Sequence, residues 1–100
     1  MLDSAVSVTG KRIRLTAERW SHITEQHCEL AGWRDEVLET LSRPGRVLAG
    51  SEGERLAIRE FAEGKWLVVV YREGNVDGFV ITAFLTRRIR SLERRRLLWP

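Results

Sequence analysis

The feature that most constrains the fold is a change of hydrophobic period at Arg43-Pro44-Gly45. Proline cannot continue a helical ladder and glycine relieves the turn that follows, so a helical pattern ends there. Downstream the period is two. The segments "RVLAG", "RLAIREFA", "KWLVVVYRE" and "GFVITAFLT" are rich in Val, Ile, Phe and Tyr, the residues that suit a pleated surface. They are separated by "SEGE", "EGK" and "GNVD", glycine-bearing turns of hairpin length. Strands joined this way form an antiparallel meander.

Upstream, "KRIRLT" alternates charged and apolar residues and reads as a short strand or extended lead-in. Thr16 is placed to cap the helix that follows, with Glu18 favourable in its first turn. That helix is expected over residues 17–28. A second is expected over 33–42, where Trp33, Val37, Leu38 and Leu41 recur at helical spacing. Helices followed by strands predict an α+β fold: two N-terminal helices packed on one face of a four- to five-stranded antiparallel sheet. One domain over residues 1–100 is expected, with 1–10 frayed and 87–100 a basic tail. Alternation sets Leu56 and Ile58 against Ala57 and Arg59. It likewise groups Phe79, Ile81, Ala83 and Leu85 apart from Val80, Thr82, Phe84 and Thr86. Arg59 and Thr82 are thereby candidates for a common exposed surface.

With 43% hydrophobic and 31% charged residues, the chain has the balance of a soluble globular protein. Its longest apolar run, "WLVVVY", is too short to cross a bilayer, and the N-terminus lacks the apolar core of a secretion signal. A cytoplasmic protein without membrane association is expected. The lone Cys28 forms no internal disulfide, which fits a reducing compartment, and packing is its expected role. The net charge is only +3, yet Arg87, Arg88, Arg90, Arg94, Arg95 and Arg96 crowd the last segment against Glu93 alone. Such a segment suits a nucleic-acid backbone, or is simply a solvated, arginine-decorated tail.

The only two histidines, His22 and His27, share the stretch "ERWSHITEQHCEL". Five positions put them roughly 140° apart on a helix, unlike the i,i+4 pairing of helical metal ligands, and no zinc spacing appears. His27 falls on the apolar stripe with Trp20, Ile23 and Thr24, where a packed imidazole is the ordinary outcome; His22 lies off that stripe. The same placement suits proton transfer. With Arg59 and Thr82 supplying charge and hydrogen bonds to phosphate, the set fits RNA cleavage by the 2′-hydroxyl.

"RIRLTAERWSHITEQHCEL", "LSRPGRVL", "GKWLVVVY" and "GFVITAFLTRRI" resemble small prophage- and toxin-associated domains of the barnase, EndoU, colicin and RelE-like ribonuclease superfamily, the BECR fold. The resemblance covers residues 12–89. It implies catalytic roles for His22, His27, Arg59 and Thr82, one histidine acting as base and the other as acid. It also implies RNA contacts through Lys65, Tyr71, Arg87, Arg88 and Arg90. A metal-independent endoribonuclease without cofactor is expected, related to toxins or prophages and accompanied by a cognate antitoxin or immunity protein. Cys28 departs from the pattern, standing where such domains commonly have proline. The rival expectation is a non-catalytic module of the same fold that binds nucleic acid or protein. In it Leu97, Leu98 and Trp99 would dock on a partner, form a homodimer, or pack back on the core. A small metalloenzyme using the histidines with Glu18 or Glu29 is a third.

Overall fold

The computed structural model describes residues 3–100. The four period-two segments are strands: β3 (Arg46–Ala49), β4 (Arg55–Ala62), β5 (Lys65–Glu73) and β6 (Asp77–Thr86). They run as an antiparallel meander, β3 against β4, β4 against β5 and β5 against β6. Gly64 turns the β4–β5 hairpin at φ 72°, a left-handed conformation open to glycine at little cost. Its amide donates to Glu60 Oε2 at 3.0 Å.

The expected four- to five-stranded antiparallel sheet is corrected. Three further strands join: β1 (Ser4–Val6), β2 (Arg12–Arg14) and β7 (Leu97–Trp99). The result is a seven-stranded mixed sheet curled into a half-barrel, ordered β1-β2-β6-β5-β4-β3-β7. β2 lies parallel to β6, with Ile13 opposite Gly78. A Cβ at position 78 would strike the Arg72 carbonyl of β5 and meet the tip of the Ile13 side chain, so glycine is what lets β6 lie this close to β5. The strand expected in "KRIRLT" is β2, whose alternation buries Ile13 between exposed Arg12 and Arg14, whereas the three residues of β1 carry too little periodicity to announce themselves. Fraying of residues 1–10 is likewise corrected from Ser4 onward, where β1 pairs with β2; residues 1–2 lie outside the described range.

The C-terminal segment is a strap, not a solvated tail. It leaves β6, makes the short helix α3 (Arg90–Glu93), crosses the sheet's reverse face and ends as β7 beside β3. Ile89 and Leu92 pack against Leu48, Leu56, Ile58 and Val68 on that reverse side. Arg46 lies 5.7 Å over the Trp66 ring there and 3.8 Å from Glu93.

The helices match their signals. α1 (Ala17–Gln26) is capped by Thr16, whose hydroxyl accepts from the Arg19 amide at 3.1 Å. A 3-10 turn (Cys28–Leu30) leads to α2 (Arg34–Ser42), entered at Trp33. Ile23, Leu30, Val37, Leu38 and Leu41 cover the main core with Ile13, Ala57, Leu67, Val69, Tyr71, Val80 and Ala83 from the sheet. Each fully buried aliphatic side chain of this kind contributes about 1.5–3 kcal/mol. β5 packs on both faces, which is why "WLVVVY" is continuously apolar rather than alternating. Among the described residues no helix is long and apolar enough to cross a membrane. Cys28 is exposed, which corrects its expected packing role.

A β-bulge also corrects the expected faces of β6. Thr82 stands opposite Val70 but Val80 stands opposite Tyr71, so Ile81 is an extra residue. Val80 therefore joins Ala83 and Leu85 on the helix side, and Phe79 turns to the reverse side with Thr82 and Phe84.

The β1–β2 turn is fastened to the end of β5 by Glu73, whose side chain is only 3% exposed. It accepts from the Ser7 hydroxyl at 2.5 Å and the Thr9 hydroxyl at 2.6 Å, and Arg55 Nε lies 3.5 Å away. Burial acts to raise its pKa, but the two hydroxyls, Arg55 and Lys11 outweigh it and hold the carboxyl below the usual 4.5. A carboxyl depressed by folding adds stability that is complete above its unfolded value and is lost as pH falls through the lower folded value. Glu73→Gln is expected to destabilise the protein at neutral pH by about 1–3 kcal/mol. The gap to wild type should narrow in thermal melts as the pH is lowered towards about 3.

Candidate functional site

The end of the sheet formed by the β4–β5 hairpin and the last turn of β6 gathers aromatic and cationic side chains. Phe61, Lys65, Leu85, Thr86 and Arg87 line an open cleft of about 320 Å³. Lys65 and Arg87, both expected to contact RNA, thus share one cavity. Phe61 also borders a second cleft, of about 340 Å³, beneath Trp33 and beside Arg59. The Trp33 and Phe61 rings meet edge-to-face at 4.9 Å, which joins the entry of α2 to the tip of the hairpin.

His27 reaches the same end of the molecule from α1. It closes the helix, its amide donating to the Ile23 carbonyl at 2.8 Å, and its ring lies 6.2 Å from that of Phe84. Phe84 faces the reverse side, whereas the next residue, Leu85, faces the helix side and lines the cleft. His27 Nδ1 is 3.6 Å from Glu29 Oε1. A protonated ring is therefore within ion-pair reach of a carboxylate, and a carboxylate on one ring nitrogen orients the other towards a substrate. Glu29 was legible in the sequence only as the acid two places after His27; the 3-10 turn brings it back to the ring.

The other expected catalytic residues do not join this group. His22 is 58% exposed, and its contact with Glu18, 4.0 Å, is a surface pair of little energetic weight. Arg59 lies on the helix side of β4, where its guanidinium is 3.4 Å from Glu39 of α2. Thr82 lies on the reverse side. The expected common surface of Arg59 and Thr82 is therefore corrected: they occupy opposite faces of the sheet. The Thr82 hydroxyl oxygen is sealed from solvent without a hydrogen-bond partner among the described residues.

Tyr71, expected at the RNA, is fully buried in the helix-side core. Burial, helped by nearby Glu73, pushes its phenol up to about 12. Its position follows from strand parity, shared with Leu67 and Val69. Arg87, Arg88 and Arg90 are all exposed at the start of the strap, and the Thr86 hydroxyl accepts from the Arg88 amide at 2.9 Å. A wider groove, about 990 Å³ between β1 and α2, mixes Arg34 and Arg43 with Asp35 and Glu39 and holds neither histidine.

Compared with protein-family models, curated proteins and solved structures, the chain matches none. Its chemistry rests on its own geometry. A first check concerns Thr82. Thr82→Val removes a hydroxyl that has no bond to lose, so thermal denaturation should show stability unchanged or raised by up to about 1 kcal/mol.

Proposed function

We propose that the chain is an endoribonuclease whose proton-transfer group is His27, positioned by Glu29. The single observation that carries this reading is that an imidazole and a cationic cleft both border the end of β6. The His27 ring lies 6.2 Å from that of Phe84, on one face of the strand, and the Lys65–Arg87 cleft opens beside Leu85, on the other. The reaction needs a base for the 2′-hydroxyl and positive charge around a crowded phosphorus, and these groups are of the right kind. His27 takes the 2′-hydroxyl proton as the oxygen attacks the adjacent phosphorus. Lys65 and Arg87 offset the charge that builds on the phosphoryl oxygens. The 5′-oxygen leaves with a proton from solvent, and the 2′,3′-cyclic phosphate remains. None of these steps calls on a metal or cofactor.

The resemblance of "W-x-H-I-x-x-x-H-x-E-L" to phage- and toxin-associated ribonuclease domains supports the same reading. It brings with it a neutralising protein partner, and a reducing cytoplasm suits the unpaired, exposed Cys28. The second reading, a nucleic-acid-binding module without catalysis, is favoured by the dispersal of His22, Arg59 and Thr82 away from His27.

Incubating labelled RNA with the purified protein in EDTA separates the two. Cleavage to cyclic phosphate ends is expected, falling about 100-fold or more in His27→Asn, the size of a general-base contribution. Lys65→Gln and Arg87→Gln should each slow it about tenfold, the loss expected of one charge-assisted contact to phosphate. His22→Ala should stay within about twofold of wild type, as befits an exposed side chain outside the cleft. Cleavage undiminished in a folded His27→Asn protein sinks the proposal; binding without cleavage makes the module the correct reading.

A further inference from the structure

The strap covers only part of the sheet's reverse face. On the part it leaves open, Phe79 is 49% exposed although it sits within a strand paired on both sides. Its cross-strand neighbours are Arg14 on β2 and Arg72 on β5. Beyond Arg14 in the same row is Ser4, and the next row holds Arg12 opposite Val6, which is 56% exposed. Adjacent strands lie about 4.8 Å apart, so the row from Ser4 to Arg72 spans roughly 14 Å. An open aromatic ring is thus flanked at close range by three arginines on one face.

These arginines already have acidic or carbonyl contacts. Arg14 is 3.2 Å from Asp77, Arg12 is 3.7 Å from Asp3, and Arg72 donates to the Glu52 carbonyl at 3.2 Å. Glu54 lies near enough for Arg72 to help lower its pKa, after the larger effect of backbone amides. The two carboxylate pairs are solvent-exposed, the kind that contributes little and yields to a phosphate. A duplex offers no free base face to the ring, whereas an unpaired base does.

We infer that this face is a stacking platform for single-stranded RNA, with an unpaired base lying on Phe79 and Arg12, Arg14 and Arg72 holding the flanking phosphates. It is separate from the Lys65–Arg87 cleft and requires no proton transfer; the choice of RNA rests on the function proposed above, whereas the stacking of an unpaired base does not.

The test uses a fluorescein-labelled 2′-O-methyl oligouridylate, which lacks the attacking hydroxyl and so survives any cleavage, with binding read by anisotropy. Phe79→Leu keeps an apolar side chain and loses the ring; binding is expected to weaken about 5- to 100-fold. Arg14→Gln and Arg72→Gln should each lower the slope of log affinity against log salt by about 1. His22→Ala, an exposed side chain outside both sites, should bind as wild type does. Phe79→Trp should bind as tightly or more tightly, and it decides the matter if the leucine variant does not fold. Wild-type affinity in folded Phe79→Leu, weaker binding in folded Phe79→Trp, or equal affinity for a duplex of the same length overturns the inference. Self-association abolished by Phe79→Leu without RNA binding overturns it in favour of a second copy on this face.

Discussion

Three residue pairs between β2 and β6 set the plan of the molecule. Gly78 stands at this contact, where a side chain would collide with the Arg72 backbone of β5 and meet the tip of Ile13. Because β2 stops opposite Phe79, residues 80–86 of β6 have no strand on that side. α1 and the 3-10 turn pack there instead, with Ile23 and Leu30 in the core. The position of His27 beside Phe84 follows from this. A longer β2 would have sealed the edge of β6 and left the imidazole nowhere to meet the sheet.

Much of the architecture was legible because it is repetitive. Four period-two segments with glycine turns predict a meander, and Thr16 followed by an amphipathic run predicts a capped helix. What could not be read was short or irregular. β1 and β7 have three residues each, too few for a period to emerge. β7 is held by β3, a partner remote in sequence. The bulge at Ile81 leaves no mark in composition, yet it reverses the faces of every β6 residue before it. Phe79 is thereby sent to the reverse side and Val80 into the core.

The candidate site divides along the same line. His27, Lys65 and Arg87 could be picked out by residue type, and the fold brings them to one end. Arg59 and Thr82 could not be related without register, and strand parity puts them on opposite faces. Tyr71 is the same case: its phenol looks suited to a surface, but its position in β5 matches Leu67 and Val69. Glu29 became visible only once the chain after α1 tightened into a 3-10 turn. Several arginines that the sequence presents as free charge are engaged as well, Arg55 with Glu73, Arg59 with Glu39 and Arg46 with Glu93.

The Glu73 fastening has a kinetic side. Ser7 and Glu73 are separated by 66 positions, and Ile13 meets Gly78 across a similar distance. Closing so large a loop costs chain entropy before any contact repays it. The meander β4–β5–β6 needs only hairpin closures and forms without waiting. The N-terminal hairpin is therefore expected to dock late in folding, onto an edge already built.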